Sequence, residues 1–136
     1  FEMEGPLGYF RFQSELAQAV FVATGTGIAP FVAFARSGVR GFTLLHGARS
    51  FEGLFYQEEL LAAAGQYRAC LSALPTSGSG PPPAWVCRQR VTDQLRALSP
   101  GSYHFYLCGN VAMIHDAMAI IDARFDNALV YTEAFY

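Results

Sequence analysis

The sequence predicts an α/β domain of three layers, in which a five-stranded, mostly parallel sheet carries helices on both faces. Three observations lead there. Short uninterrupted apolar runs such as Ala19-Val20-Phe21-Val22-Ala23 read as strands buried on both sides. Stretches with helical spacing alternate with them, and that alternation implies right-handed crossovers and a parallel sheet. The chain has 136 residues, 52% of them hydrophobic and 15% charged, which suffices for one packed core and is too short for two full domains.

Residues 1–18 are mixed and turn-rich, with a bend at Gly5-Pro6-Leu7-Gly8, and are expected to be a linker ahead of a domain spanning 19–136. The first strand is residues 19–23. Thr24-Gly25-Thr26-Gly27 then turns the chain, and Pro30 suits the first turn of a helix that stops near Gly38. Phe42-Thr43-Leu44-Leu45-His46 reads as the second strand, ended by Gly47. Residues 54–64 carry a helical pattern, with Leu54, Leu60 and Leu61 apolar and Gln57, Glu58 and Glu59 polar. Residues 67–71 form the third strand. The proline- and glycine-rich stretch 75–83 can hold neither ladder nor helix and is an exposed loop. A short helix over 92–98, a fourth strand over 103–108, a helix over 111–124 and a last strand over 129–132 complete the pattern.

Composition excludes several functions. The net charge is −2 with no basic cluster, so the grip on phosphate that nucleic acid requires is lacking. All nine cationic side chains are arginine, which removes a P-loop lysine, a Schiff-base lysine and a lysine general base. Three cysteines, Cys70, Cys87 and Cys108, without a CxxC pair fit a reducing compartment better than a disulfide framework, and no zinc pattern or other metal set is present. With neither a signal segment nor an apolar run of about 18 residues, a cytoplasmic address and no membrane span are expected. The first residue is Phe1 rather than methionine, so a piece of a longer protein is expected.

In parallel α/β sheets, ligands sit beyond the carboxyl ends of the strands. Thr24-Gly25-Thr26-Gly27-Ile28-Ala29-Pro30 follows the first strand. Its glycines would let backbone approach a diphosphate while the helix start offers amides and a favourable dipole. The same residues also read as a purely structural turn, since Pro30 occupies the third glycine position of GxGxxG. The acidic residue expected ~20 positions on is missing. His46-Gly47-Ala48-Arg49-Ser50 stands there instead, and Arg49 with Ser50 could take a 2′-phosphate or could simply be solvated. His46 is a candidate only as part of this segment, with Gly47; as histidines, His46, His104 and His115 read as packing or surface residues. After the fourth strand, Cys108-Gly109-Asn110 opens a helix. A cysteine there is ordinarily core filler, but the neighbouring glycine invites a ligand.

Gly25-Thr26-Gly27-Ile28-Ala29-Pro30, His46-Gly47-Ala48-Arg49 with Tyr56-Gln57-Glu58-Glu59-Leu60, Tyr106-Leu107-Cys108-Gly109-Asn110 and Glu133-Ala134-Phe135-Tyr136 occur in that order. Together they resemble the pyridine-nucleotide domain of the ferredoxin-NADP reductase family, a Rossmann-like fold. Glu4-Gly5-Pro6-Leu7-Gly8 resembles the junction that leaves that family's flavin-binding barrel, so the likeness spans nearly the whole chain while the barrel itself is missing.

The resemblance implies an NAD(P)H-binding domain of an oxidoreductase that passes hydride from nicotinamide to flavin N5 and electrons on to ferredoxin, another iron–sulfur domain or haem. FAD or FMN would sit on the missing upstream domain of the same chain, and the isolated piece would be almost inactive. Gly25, Thr26 and Gly27 would line the diphosphate, with Thr24 and Pro30 beside them. Cys108, Gly109 and Asn110 would border the nicotinamide, with Met113 alongside, and Glu133 would be the carboxylate near the reacting rings. The aromatic that stacks on the flavin would be Phe135 or Tyr136; these two, Cys108 and Glu133 are the catalytic candidates. NADP-using relatives tend to carry an arginine after the serine at the third strand's end, but here Ser72 precedes Ala73. Arg49 and Arg90 remain available, so NADP(H) is favoured over NAD(H). Gly27→Val is expected to abolish nucleotide binding and leave the fold largely intact. Two rival readings are a non-catalytic nucleotide-sensing module on the same fold and a flavodoxin-like FMN carrier.

Overall fold

The computed structural model describes residues 18–73 and 82–135, the side chains of 134 and 135 excepted. The expected linker therefore lies outside the described residues except for Gln18, which is already the first residue of a strand. Most of the proline-rich loop lies outside them too.

Six strands form one sheet: β1 (Gln18–Thr24), β2 (Thr43–Ala48), β3 (Gln66–Leu71), β4 (Val86–Cys87), β5 (Tyr103–Asn110) and β6 (Leu129–Phe135). Their order is β4-β3-β2-β1-β5-β6. Every neighbouring pair is parallel. The helices are α1 (Ala29–Arg36), α2 (Gln57–Ala63), α3 (Val91–Arg96) and α4 (Val111–Arg124). The chain steps outward from β1 to β4 and then returns to the other side of β1 for β5, so strand order reverses between β1 and β5. A crevice opens at such a reversal.

Two hydrophobic clusters make the layers. On one face Phe21, Leu44, Tyr67 and Tyr106 pack with Phe31 and Phe34 of α1 and Leu60 of α2. On the other, Val20, Val22, Leu45, Phe105 and Leu107 pack with Leu95 of α3 and Ile114, Ala117 and Ile121 of α4. Phe21 is the hub of the first cluster. Its ring stacks on Phe31 at 4.6 Å and on Phe42 at 4.5 Å and meets Tyr106 edge-on at 5.4 Å. These contacts hold the start of α1 against the end of β1, which fixes the turn between them.

The strand count corrects the expected five. The sixth, β4, has only two residues, too few to show an alternating pattern, and it follows Pro82-Pro83. It joins the sheet because the Ala69 N–H donates to the Trp85 carbonyl at 2.8 Å and Cys70 pairs with Cys87. The helix expected over 54–64 is shorter. Phe51–Gly53 is a 3-10 turn, and Tyr56 adopts φ 59°, a left-handed conformation that ends any helix, so α2 starts at Gln57. Gly47 lies inside β2 rather than ending it. A Cβ there would stand 3.0 Å from Val91 Cγ1 and 3.1 Å from Thr24 Cγ2, so the missing side chain admits α3.

Candidate functional site

At the strand-order reversal, β1 and β5 end side by side. Gly27 and Gly109 make that approach possible. A Cβ on Gly27 would lie 2.3 Å from the Cys108 carbonyl oxygen, and one on Gly109 would lie 2.1 Å from Thr24 Oγ1. The Asn110 N–H donates to Thr24 Oγ1 at 3.3 Å, joining the two strand ends. Asn110 Oδ1 accepts from the Met113 N–H at 2.8 Å and so caps α4, satisfying one of the helix's unpaired donors. Gly25, at φ 56°, has open space where its side chain would be. Glycine adopts that conformation without the steric cost other residues meet.

A cavity of about 770 Å³ opens over these ends. β1 contributes Thr24 and the turn contributes Gly25. β2 and the residue after it contribute Gly47, Ala48 and Arg49, and β3 contributes Cys70 and Leu71, followed by Ser72. Arg88, Gln89 and Arg90 lead into Val91 and Thr92 of α3 to form one wall; Asn110, Ala112 and Met113 at the start of α4 form the other. Gly53 and Phe55 stand at the rim, with Phe55 47% exposed. Arg49, Arg88 and Arg90 are all exposed, and no carboxylate side chain lines the cleft among the described residues. Arg90 approaches Asp116 at 3.6 Å, but both are well exposed, so this pair restrains the guanidinium little. The Ser72 hydroxyl donates to the Arg49 carbonyl at 3.4 Å and the Ala73 N–H donates there at 2.8 Å, tying the ends of β2 and β3 together.

The structure thus gathers Thr24, Gly25, Gly47, Arg49, Ser72, Arg90, Asn110 and Met113 around one cleft. Other expected residues lie elsewhere. Thr26 is exposed on the turn outside the cleft lining, and Gly27 is buried against β5. Pro30 is buried in the first turn of α1. Ser50 precedes the 3-10 turn, where it bonds to Glu52. His46 is fully buried in the core. Its Nδ1 pairs with the Tyr67 hydroxyl at 2.9 Å, its Nε2 meets no hydrogen-bond partner among the described residues, and burial lowers its pKa to about 4. Valine at Gly27 would collide with the backbone of β5, which corrects the expectation that it would leave the fold intact.

Cys108 and Glu133 are register partners on β5 and β6. Cys108 is fully buried within the cluster under α1, beside the stacked Tyr106 and Tyr131 rings, whose centroids are 4.8 Å apart. Burial, with the nearby Glu133 charge adding to it, pushes the thiol up to about 12. It is a neutral, compact group at pH 7. The Phe135 backbone pairs with Asn110, while its side chain and Tyr136 lie outside the described residues. Arg88, Gln89 and Phe55 are cleft residues that sequence reasoning missed. The one available signal was the Arg88-Gln89-Arg90 spacing, which places two guanidinium groups on a short segment before α3.

An open parallel sheet with a glycine turn and an arginine-rimmed cleft at its strand-order reversal defines a nucleotide-binding α/β domain. The comparisons refine that class. Residues 21–119 match the family model of the oxidoreductase NAD-binding domain, and the chain belongs to this family. It is 36% identical over 115 residues to the inducible nitric oxide synthase of Homo sapiens, covering 71% of this chain and 10% of that protein. It is 31% identical over 125 residues to ferredoxin-NADP reductase B of Sorangium cellulosum (strain So ce56), covering 81% of this chain and 50% of that one. Among solved structures, the cytochrome P450 reductase GcoB of Amycolatopsis superposes with a TM-score of 0.69 at 25% identity, over 96% of this chain and 42% of that one. The chain thus spans half or less of each of these relatives. No helix among the described residues is long and apolar enough to cross a membrane.

Proposed function

We propose that this chain is the NAD(P)H-binding part of a flavin-dependent oxidoreductase, with residues 19–136 as the coenzyme domain and residues 1–18 as the link to a flavin-binding barrel. The observation that carries the reading is the cleft itself. It lies where β1 and β5 end side by side, has open space at Gly25, and is lined by three arginines and the start of α4. These features suit an anionic dinucleotide: the Gly25 backbone and the start of α4 would face the diphosphate, and Arg49, Arg88 and Arg90 would hold a 2′-phosphate with their planar forks. NADP(H) is therefore preferred to NAD(H).

A nicotinamide coenzyme held in this cleft would supply hydride-transfer chemistry towards the N5 atom of an FAD or FMN on the barrel, with ferredoxin, another iron–sulfur domain or haem as the class of electron acceptor. The contribution of this chain is positional. Thr24 and Asn110 tie the ends of β1 and β5 together. Cys108 is protonated and offers no competing thiolate, and Glu133 sets a carboxylate beside it. The reading includes a reducing, cytoplasmic address, supported by an odd number of cysteines without a CxxC pair.

Titration calorimetry with NADP⁺, NAD⁺ and 2′,5′-ADP tests the proposal. Binding of NADP⁺ and 2′,5′-ADP with weaker NAD⁺ is the expected result. Absence of heat with all three would remove it.

A further inference from the structure

Cys70 and Cys87 face each other across β3 and β4 with their sulfur atoms 3.7 Å apart. They are register partners in a parallel ladder. Adjacent strands lie about 4.8 Å apart, inside the Cα separation that a disulfide tolerates. The sulfurs need approach only to about 2.05 Å. One partner is free to make that move: Cys87 ends a two-residue edge strand, whereas Cys70 sits in the ordered floor of the cleft. Neither thiol has a role in the coenzyme reading above.

We infer that Cys70 and Cys87 form a reversible disulfide when the protein meets a small-molecule disulfide of the glutathione type. The half-buried Cys87 sulfur attacks one sulfur of the oxidant, forming a mixed disulfide and releasing one small thiol. The Cys70 sulfur then attacks the Cys87 sulfur, forming the protein disulfide and releasing the second. Two protein thiols are oxidised and one small disulfide is reduced; the two protons end on the two released thiols. The order follows from exposure, because Cys70 is only 3% exposed and reaches a sulfur only when one is delivered beside it. Burial also holds its thiol protonated at neutral pH, which makes it inert towards outside reagents. Since Arg88 follows Cys87 directly, the bond would fasten the arginine segment to the cleft floor.

Trypsin tests this cleanly, since no arginine or lysine lies between Arg68 and Arg88 and both cysteines fall in the single peptide 69–88. The native chain is incubated with glutathione disulfide, denatured, alkylated with iodoacetamide, digested and weighed. The expected product is peptide 69–88 unalkylated and two hydrogens lighter, with Cys108 alkylated and dithiothreitol restoring alkylation at both sites. Closing a loop of this span also predicts a rise in Tm on the order of 5–10 °C on oxidation, which Cys87→Ser abolishes. Both cysteines alkylated, or a lasting glutathione adduct on Cys87 alone, would overturn the inference. The readout contains no nucleotide, so its failure and that of the coenzyme reading are separate results.

Discussion

Gly27 presses its α-carbon so closely on β5 that a β-carbon would stand 2.3 Å from the carbonyl oxygen of Cys108, while Gly25, in the same turn, faces open space. The two glycines therefore have different work. Gly27 sets the distance between the turn and β5, and Gly25 supplies the left-handed backbone that faces the cleft.

Substitution separates them. Gly27→Val is expected to lose about 1–3 kcal/mol or more of stability, because backbone must move to admit the side chain. Gly25→Ala should cost about 1–2 kcal/mol from its backbone angle and keep the fold. Its methyl group would enter the space assigned to the diphosphate, so NADP⁺ affinity falls while 2′,5′-ADP, which has no diphosphate bridge, binds as before. Urea unfolding and calorimetry read the two effects. Equal stability of Gly27→Val and wild type would contradict the packing argument.

The rim arginines give a prediction about coenzyme choice. Replacing Arg88 or Arg49 with Gln should weaken 2′,5′-ADP about tenfold, the loss of one charge-assisted contact, and leave NAD⁺ nearly unchanged. Isothermal titration of the three ligands checks it. A parallel loss for NAD⁺ would place these side chains on the diphosphate instead.

His46 makes stability depend on pH. Its folded pKa of about 4 lies below the value of about 6.5 expected in the unfolded chain, so between these values the unfolded state takes up the proton. Stability from this residue is complete above the unfolded value and is lost as pH falls from about 6.5 to about 4, amounting to about 3 kcal/mol. His46→Gln should flatten that slope. Urea midpoints at pH 7 and pH 5 measure it, and an unchanged slope in the variant would assign the dependence to other groups.

Cys108 should resist modification. With no exposed surface and a thiol pushed up to about 12, it is expected to remain unalkylated by iodoacetamide at pH 8 in the folded chain, while the half-buried Cys87 reacts. Peptide mapping after a timed exposure decides this. Fast labelling of Cys108 would mean that the strand end opens.

The alternation of apolar runs and helical stretches made the sheet and its crossovers legible, because strands buried on both faces leave continuous hydrophobic segments. The helix over 111–124 is legible to its ends, since Asn110 caps it and Phe125 leaves helical geometry. What escaped is short or non-periodic. Val86–Cys87 joins the sheet through one neighbour and carries no pattern, and the left-handed Tyr56 looks like ordinary helix sequence. For the site, the glycine turn marked the right place but not the orientation of each glycine, which depends on Cys108 and Gly109 of β5, 81 or more positions away in the chain. Arg88 stayed hidden because an arginine in a loop gains meaning only from what lies across from it.

The arginine-rimmed cleft shares its floor with the α3 and α4 layer through Cys70, Val91 and Met113, whereas Cys108 belongs to the layer under α1. A ligand reaching both must straddle the sheet where β1 and β5 end. On the proposed reading, recognition and electron chemistry would occupy separable layers of the domain, and exchanging residues 88–90 would retune selectivity without disturbing the surroundings of the thiol.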